Sequence, residues 1–489
     1  MDGPTRTDPS STPGPGTLHP PADLARTLGE LRASGWRSVP VAEEMRRNTA
    51  ARIASEESLI PGVLGFDDTV VPQMENAILA GHDIILLGER GQAKTRVIRS
   101  MVGLLDEWLP IVAGSEINDD PYAPVSRAAV IAVAEGGDET PITWVHRSQR
   151  YGEKLATPDT SIADLIGEVD PIKIAEGRYL SDELALHYGL IPRVNRGIFA
   201  INELPDLSER IQVGLLNVLE ERDVQIRGHR IRLPLDITLV ATANPEDYTN
   251  RGRIITPLKD RFGAQIRTHY PFETMTEVKI MESEAELPTA GVPVTVPAYL
   301  KEVVAEISQL ARRSSHLNQR SGVSVRLSIA NYETLVANAV RRALRTTEPV
   351  AVPRISDLSA LVPSTQGKIE VEAMEEGHEE IVVAQLVSAA VLSVFRRRVT
   401  LDDPGAIVGS FTEQVVVHAG DDLPSAAYLA VLADLPELEP PTRALAGPDA
   451  AESPAMMASA LEFLLEGLHL TKRLNKDSSG ARALYRGRK

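Results

Sequence analysis

The sequence predicts an α/β fold, a parallel sheet covered by helices, followed by a smaller, mainly α-helical domain. Three observations carry this. From Gly62 to about Pro271, short β-rich runs alternate with helical ones, the pattern of strand–helix–strand units. Three of those runs, Ile84–Leu87, Gly197–Ile201 and Ile237–Ala243, are compact and apolar and end at a polar or glycine-rich turn. Beyond about Val296 such runs nearly vanish, and long helical patterns such as Val325–Arg345 replace them.

Taken in order, the chain opens on residues 1–22, with six Pro, three Gly and six Ser or Thr. Such a composition buries too little apolar surface to offset its ordering entropy and predicts disorder. A helical segment is expected over 23–60, interrupted at Pro40, and the sheet-bearing domain over 61–275. The helical domain spans 296–433. Within it, 370–380 carries six glutamates, a density that predicts a solvated loop or partner face. Five prolines between Asp434 and Pro454 predict a linker over 434–454. Residues 455–489 then read as an apolar helix and a basic tail, with seven basic residues and one acid from Lys472 onward.

Composition narrows the function classes. The 489 residues are 43% hydrophobic and 24% charged, an ordinary globular balance, and at roughly 150 residues per domain suggest about three domains. A net charge of −17 disfavours non-specific binding to nucleic acid or anionic membrane. Aromatic residues are only 4%, few for base-stacking platforms. Cysteine is absent, which excludes disulfides, thiolate nucleophiles and thiolate metal sites. No apolar run reaches the length of a membrane span, and no signal peptide opens the chain. The expectation is a cytoplasmic protein with no membrane partner and no specific nucleic acid.

The most specific motif is Gly88-Glu89-Arg90-Gly91-Gln92-Ala93-Lys94-Thr95, between the strand Ile84–Leu87 and a helix expected to run to about Trp108. Glycines let consecutive backbone N–H groups turn toward one anion, and the helix start adds partial positive charge. Lys94 would reach the β- and γ-phosphates of a nucleotide, and the Thr95 hydroxyl would ligand Mg²⁺. Ala93 stands where this loop usually has glycine, which is tolerable only if its φ stays negative.

A second strand, Gly197–Ile201, ends at Asn202-Glu203. Glu203 is the candidate general base for an attacking water. The position before it is usually Asp; Asn202 still offers an amide oxygen to the metal shell but brings no charge, so Asn202→Asp is expected to lower the Mg²⁺ requirement and raise turnover. A third strand, Ile237–Ala243, ends at Asn244, whose carboxamide would bridge the water and the γ-phosphate. Arg261, in Thr256–Gly263, is placed to act on a neighbouring subunit's nucleotide, with Asp260 as its alternative intrachain partner. Arg326, at the start of a later helix, would fold back onto the γ-phosphate.

In this order, GERGQAKT, INELPDL, ATANPEDY, LKDRFG and GVSVR resemble the motifs of AAA+ ATPases, over roughly residues 60–400. More closely, the chain resembles the MoxR-like ATPases and the ATPase subunit of magnesium chelatase. The resemblance implies a P-loop AAA+ core with a helical lid and a homo-oligomeric, hexameric ring. It implies ATP and Mg²⁺ as cofactors, and chaperone-like remodelling or metal insertion with a partner that often carries a von Willebrand A domain. Two insertions fit that subgroup: residues 157–179 within the 108 positions separating Thr95 from Glu203, and a hairpin over 221–234 with Arg222, Arg227, Arg230 and Arg232. Two other readings are a nucleotide-gated scaffold with little hydrolysis and an enhancer-type transcription activator. Against the latter, no GAFTGA-like loop is present.

Overall fold

The computed structural model describes residues 19–488, apart from 171, 173–174, 176–182, 221–222, 226–231, 245–252, 289, 319–321, 372–377, 402, 413–414, 449–451 and 480–481. The chain divides into two compact units, the first ending at His269 and the second beginning at Tyr270.

The first unit is built on a five-stranded sheet. Its strands are β1 (Ile84–Leu87), β4 (Tyr151–Leu155), β7 (Gly197–Asn202), β10 (Ile237–Ala243) and β11 (Ala264–Arg267). They lie in the order β11-β1-β10-β7-β4 and every pairing is parallel. The intervening strands β2 (Trp108–Val112) and β3 (Ile142–His146), β5 (Gly167–Val169) and β6 (Leu186–Tyr188), and β8 (Asp223–Gln225) and β9 (Arg232–Pro234) form three separate antiparallel pairs.

The central strands are buried on both faces, as a helix-covered parallel sheet requires. Ile84, Leu86, Ile198, Ala200 and Val240 point to one side, against helices α2 (Val41–Ala54), α3 (Val70–Leu79) and α4 (Lys94–Ser100). Ile85, Leu87, Phe199, Ile201 and Leu239 point to the other, against the helix Glu209–Glu220 and Leu258. The N-terminal segment is therefore part of the sheet's cover: Val41 and Met45 of α2 lie in the core.

Several sequence expectations are corrected. The helix after the phosphate loop stops at Ser100, and a 3-10 turn (Met101–Leu104) leads toward β2 at Trp108, with Gly103 in that turn weakening the helix. In the 157–179 insertion, β5 pairs with a strand beyond it, β6, so the hairpin extends to Tyr188. Of the arginine-bearing hairpin, β8 and β9 pair as two arms, while Arg222, Arg227 and Arg230 lie outside the described residues. So do 372–377 of the glutamate-rich stretch and residues 1–18 of the tail.

The second unit is mainly helical, with Ala298–Ala311, Arg326–Thr346, His378–Arg398 and Pro454–Leu470 sharing one core. It also holds a three-stranded antiparallel sheet in the order β12 (Val416–Gly420), β14 (Arg482–Gly487), β13 (Leu474–Ser479). The expected linker contains a helix, Glu439–Ala446, with Thr442 and Ala446 buried. Its adjacent prolines, Pro440 and Pro441, sit in the first turn, where a missing N–H breaks no helical bond. The expected basic tail is a hairpin whose cations are paired: Lys476 with Glu466 at 2.7 Å, Arg482 with Asp422 and Arg486 with Asp477.

Candidate nucleotide site

Every expected first-unit site residue except Arg261 gathers at the C-terminal ends of β1, β7 and β10, where a parallel α/β sheet presents its loops. The phosphate loop starts where Gly88 N–H donates to the carbonyl of Ala243, 3.1 Å away, tying the loop to the end of β10. Gly88 admits no side chain. A Cβ there would lie 2.0 Å from Thr268 Oγ1 and 2.2 Å from Gln92 Oε1. Thr268 donates to that same Gln92 oxygen at 2.8 Å, and Gln92 Oε1 also accepts the N–H of Glu89 at 3.1 Å. Gln92 is thus an internal brace of the loop, while Arg90 is exposed.

Ala93 adopts φ 55° and ψ 15°. The sequence expectation of a negative φ is wrong here: the loop keeps the left-handed turn and places a methyl group in it, at a cost of about 1–2 kcal/mol. Glu203 is also left-handed, with φ 56° and ψ 48°. Two non-glycine residues in this region at one strand edge are held there by their surroundings. For Glu203 the support is a backbone N–H donated to Thr242 Oγ1 at 3.0 Å.

Lys94 is buried, and its ammonium donates to the carbonyls of Gly88 and Glu89, the latter at 2.9 Å, and to Asn244 Oδ1 at 2.7 Å. Asn244 Nδ2 in turn donates to Glu203 Oε2 at 2.7 Å. The two contacts fix the amide's orientation, because only its oxygen can accept from an ammonium and only its nitrogen can donate to a carboxylate. Residues expected separately from three motifs thereby form one continuous line, Lys94–Asn244–Glu203.

Asn202 is buried at the end of β7, and Nδ2 donates to Glu153 Oε1 at 2.6 Å. Glu153, on β4, belongs to no motif and was not expected. Its carboxylate also accepts from Arg99 of α4, at 2.8 and 3.1 Å, and from Tyr151 Oη at 2.9 Å. Burial alone would raise its pKa, but the bonds from Arg99, Tyr151 and Asn202 outweigh it and hold the carboxyl below its ordinary range. Burial and the neighbouring carboxylate push the Tyr151 phenol upward. A polar side chain on an edge strand carries no sequence signature, because only the Leu155–Asn202 register brings it to the site.

Three candidates remain. Arg261 closes the short helix Thr256–Arg261 beside the edge strand β11, partly exposed, 3.8 Å from Asp260. Arg326 is an exposed residue in the first turn of its helix in the second unit. Thr95 is the second residue of α4. With Asn202 it offers hard oxygen donors of the kind Mg²⁺ accepts. Among the described residues no group of three or more acidic or histidine side chains forms a metal cage, so a cation here would be shared with phosphate oxygens.

The chain is similar to several known proteins over part of its length. Over 207 residues, 42% of the chain, the sequence is 30% identical to magnesium-chelatase subunit ChlI of Anabaena variabilis. It is 28% identical over 210 residues to the magnesium-chelatase 38 kDa subunit of Cereibacter sphaeroides. Over about two fifths of its length the chain is similar to the I-type subunits of magnesium chelatase. It spans only about half the length of these relatives, 57% and 54%. The family model for the sigma-54 interaction domain matches residues 176–261, a stretch holding Glu203, Asn244 and Arg261. Among solved structures, a chain from the complex between subunits BchI and BchD of magnesium chelatase is 20% identical with a TM-score of 0.35, covering 67% of this chain and 94% of that one. NtrX from Brucella abortus in complex with ATP is 13% identical with a TM-score of 0.38, covering 71% and 66%. No described helix of the chain is long and apolar enough to cross a membrane.

Proposed function

We propose that the chain is a Mg²⁺-dependent ATP hydrolase working as a ring, a remodelling or metal-insertion motor of the MoxR and magnesium-chelatase type. The observation that carries the proposal is the Lys94–Asn244–Glu203 line, which joins a phosphate-binding cation, a water-orienting amide and a general base. In this reading the loop N–H groups and Lys94 hold the β- and γ-phosphates. Asn244 orients the attacking water, and Glu203 accepts its proton as the oxygen bonds to the γ-phosphorus and the bond to the bridging oxygen breaks. Magnesium, when bound through Thr95 and Asn202, neutralises phosphate charge. Arg261 completes the site of the neighbouring subunit.

Lys94→Ala is the direct test, since it removes the cation on which phosphate binding depends. Loss of both nucleotide affinity and phosphate release is expected; unchanged affinity would overturn the assignment. The ring is tested by mixing. Arg261→Ala and Glu203→Gln proteins, each inactive alone, are expected to regain part of the activity together, because some interfaces combine intact halves. Absence of rescue despite subunit exchange would place Arg261 outside the reaction.

A second reading, a nucleotide-gated scaffold with little hydrolysis, is favoured by the neutral Asn202. Steady-state phosphate release separates the two. A von Willebrand A domain protein is the partner to seek in pull-downs.

A further inference from the structure

We propose that Glu153 is a positioning residue for the metal side of the nucleotide site, acting through Asn202. The inference rests on the nucleotide-site reading and deepens it. Glu153 and Asn202 stand on adjacent parallel strands, two residues apart in register, with Leu155 opposite Asn202. The 2.6 Å bond from Asn202 Nδ2 to Glu153 Oε1 uses the carboxamide's nitrogen. The amide oxygen is thereby turned the other way, toward Thr242 Oγ1 at 3.4 Å. That contact is long, and a carbonyl oxygen has two lone pairs, so Asn202 retains accepting capacity on the side away from Glu153.

An acid at position 202 presents an oxygen whichever way it rotates. An amide does so only if something claims its nitrogen, and Glu153 does this. Glu153 is itself held by Arg99 and Tyr151, which leaves it no freedom to release the amide. Arg99 is one helical turn after Thr95 on α4, so the two lie on the same face of that helix. The clamp on Glu153 thus sits directly behind the other expected metal donor. Partners of this kind, which orient a ligand without touching the metal, typically alter metal affinity by roughly 10–100-fold.

The arrangement makes the sign of a substitution at 202 depend on residue 153, and with Glu153 in place it reverses the expectation from sequence alone that Asn202→Asp lowers the Mg²⁺ requirement. With Glu153 present, Asn202→Asp sets two carboxylates face to face and removes the proton between them. With Glu153→Gln, the new amide donates to the new carboxylate and the oriented oxygen is restored with the roles exchanged.

The experiment measures binding of a fluorescent ATP analogue to the full chain in EDTA and in MgCl₂, and reads the ratio of the two affinities. Glu153→Gln alone is expected to lower that ratio by roughly tenfold with affinity in EDTA unchanged, and Asn202→Asp alone is expected to lower the ratio to a similar extent. The double variant is expected to return to within about threefold of the parent ratio, and its recovery also shows that the substitutions leave the fold intact. Glu153→Asp, too short to reach Asn202, is expected to behave as Glu153→Gln alone. An unchanged ratio in Glu153→Gln, a raised ratio in Asn202→Asp alone, or a double variant no better than either single one would overturn the proposal. Absence of analogue binding by the parent chain in either solution would overturn the nucleotide reading and this inference with it. Binding by the parent that ignores residue 153 overturns the inference alone.

Discussion

The two ends of the central sheet both bury charge, and they handle it in opposite ways. At the N-terminal ends of the strands the charges close on one another. Arg150, fully buried just before β4, makes a two-pronged pair with Glu44 of α2 at 2.6 and 2.7 Å and donates to the carbonyl of Arg196. Asp236 accepts the N–H of Val41, and Asp83 accepts that of Leu239. At the C-terminal ends, Lys94, Asn244, Glu203, Asn202 and Glu153 are linked in open lines. They run through Glu203, which is in left-handed backbone, and start beside Ala93, which is too. The same polar residue types serve cohesion at one edge and chemistry at the other. What separates them is that one edge pairs its carboxylates with a guanidinium and backbone N–H groups, while the other links side chains from the ends of three strands and the phosphate loop into connected lines.

Substitutions at the two edges should therefore fail differently. The largest effect on stability is expected for Arg150→Ala, which strands Glu44 without its buried partner and costs about 3–5 kcal/mol, read as a lower denaturant midpoint. Asn244→Ala at the opposite edge should leave that midpoint nearly unchanged. Its phosphate release should fall by about 10²–10³, the usual loss when one positioned polar group is removed from a reaction site. If Asn244→Ala proves as destabilising as Arg150→Ala, the contrast between the edges breaks down.

Smaller effects sharpen the comparison. Ala93→Gly relieves the left-handed methyl and is expected to raise stability by about 1 kcal/mol, measured by thermal unfolding. If the strain also shapes the loop for phosphate, nucleotide affinity will fall as stability rises. The smallest expected effect is a pH slope. Burial lifts the Asp236 carboxyl above its ordinary value of 3.8, against the Val41 N–H and the nearby Arg196 and Arg150, with Glu44 adding to the rise. The folded state then holds this proton more tightly than the unfolded chain. Its contribution to stability is full below pH 3.8 and is lost as pH rises through the elevated folded value. Asp236→Asn should remove that segment of the stability–pH curve and leave the rest.

The sequence was legible wherever one physical signal dominated. β1, β7 and β10 are apolar on both faces, and their runs mark them within a residue. Lys94, Glu203 and Asn244 are readable because each follows such a strand. Tyr151–Leu155 was not readable: an edge strand reading YGEKL has little apolar periodicity, so Glu153 stayed hidden with it. The hairpin Leu474–Gly487 was missed for the same reason, since LNKDSS reads as a polar tail until β12 supplies a partner for β14. At Ala93 the local rule was sound as a preference, but the turn overrode the residue.

The clamp on Glu153 also guards the alignment of the edge strand. Among the described residues β4 has a strand neighbour on one side only, and its alternation is too weak to specify its pairing with β7 unaided. A slip of one residue would turn Glu153 to the opposite face, among Leu and Ile side chains, away from Arg99 and Asn202. A carboxylate without partners there costs several kcal/mol, so misaligned chains are penalised by the residue that orients Asn202. Errors in strand pairing and errors in metal geometry are therefore filtered by one side chain.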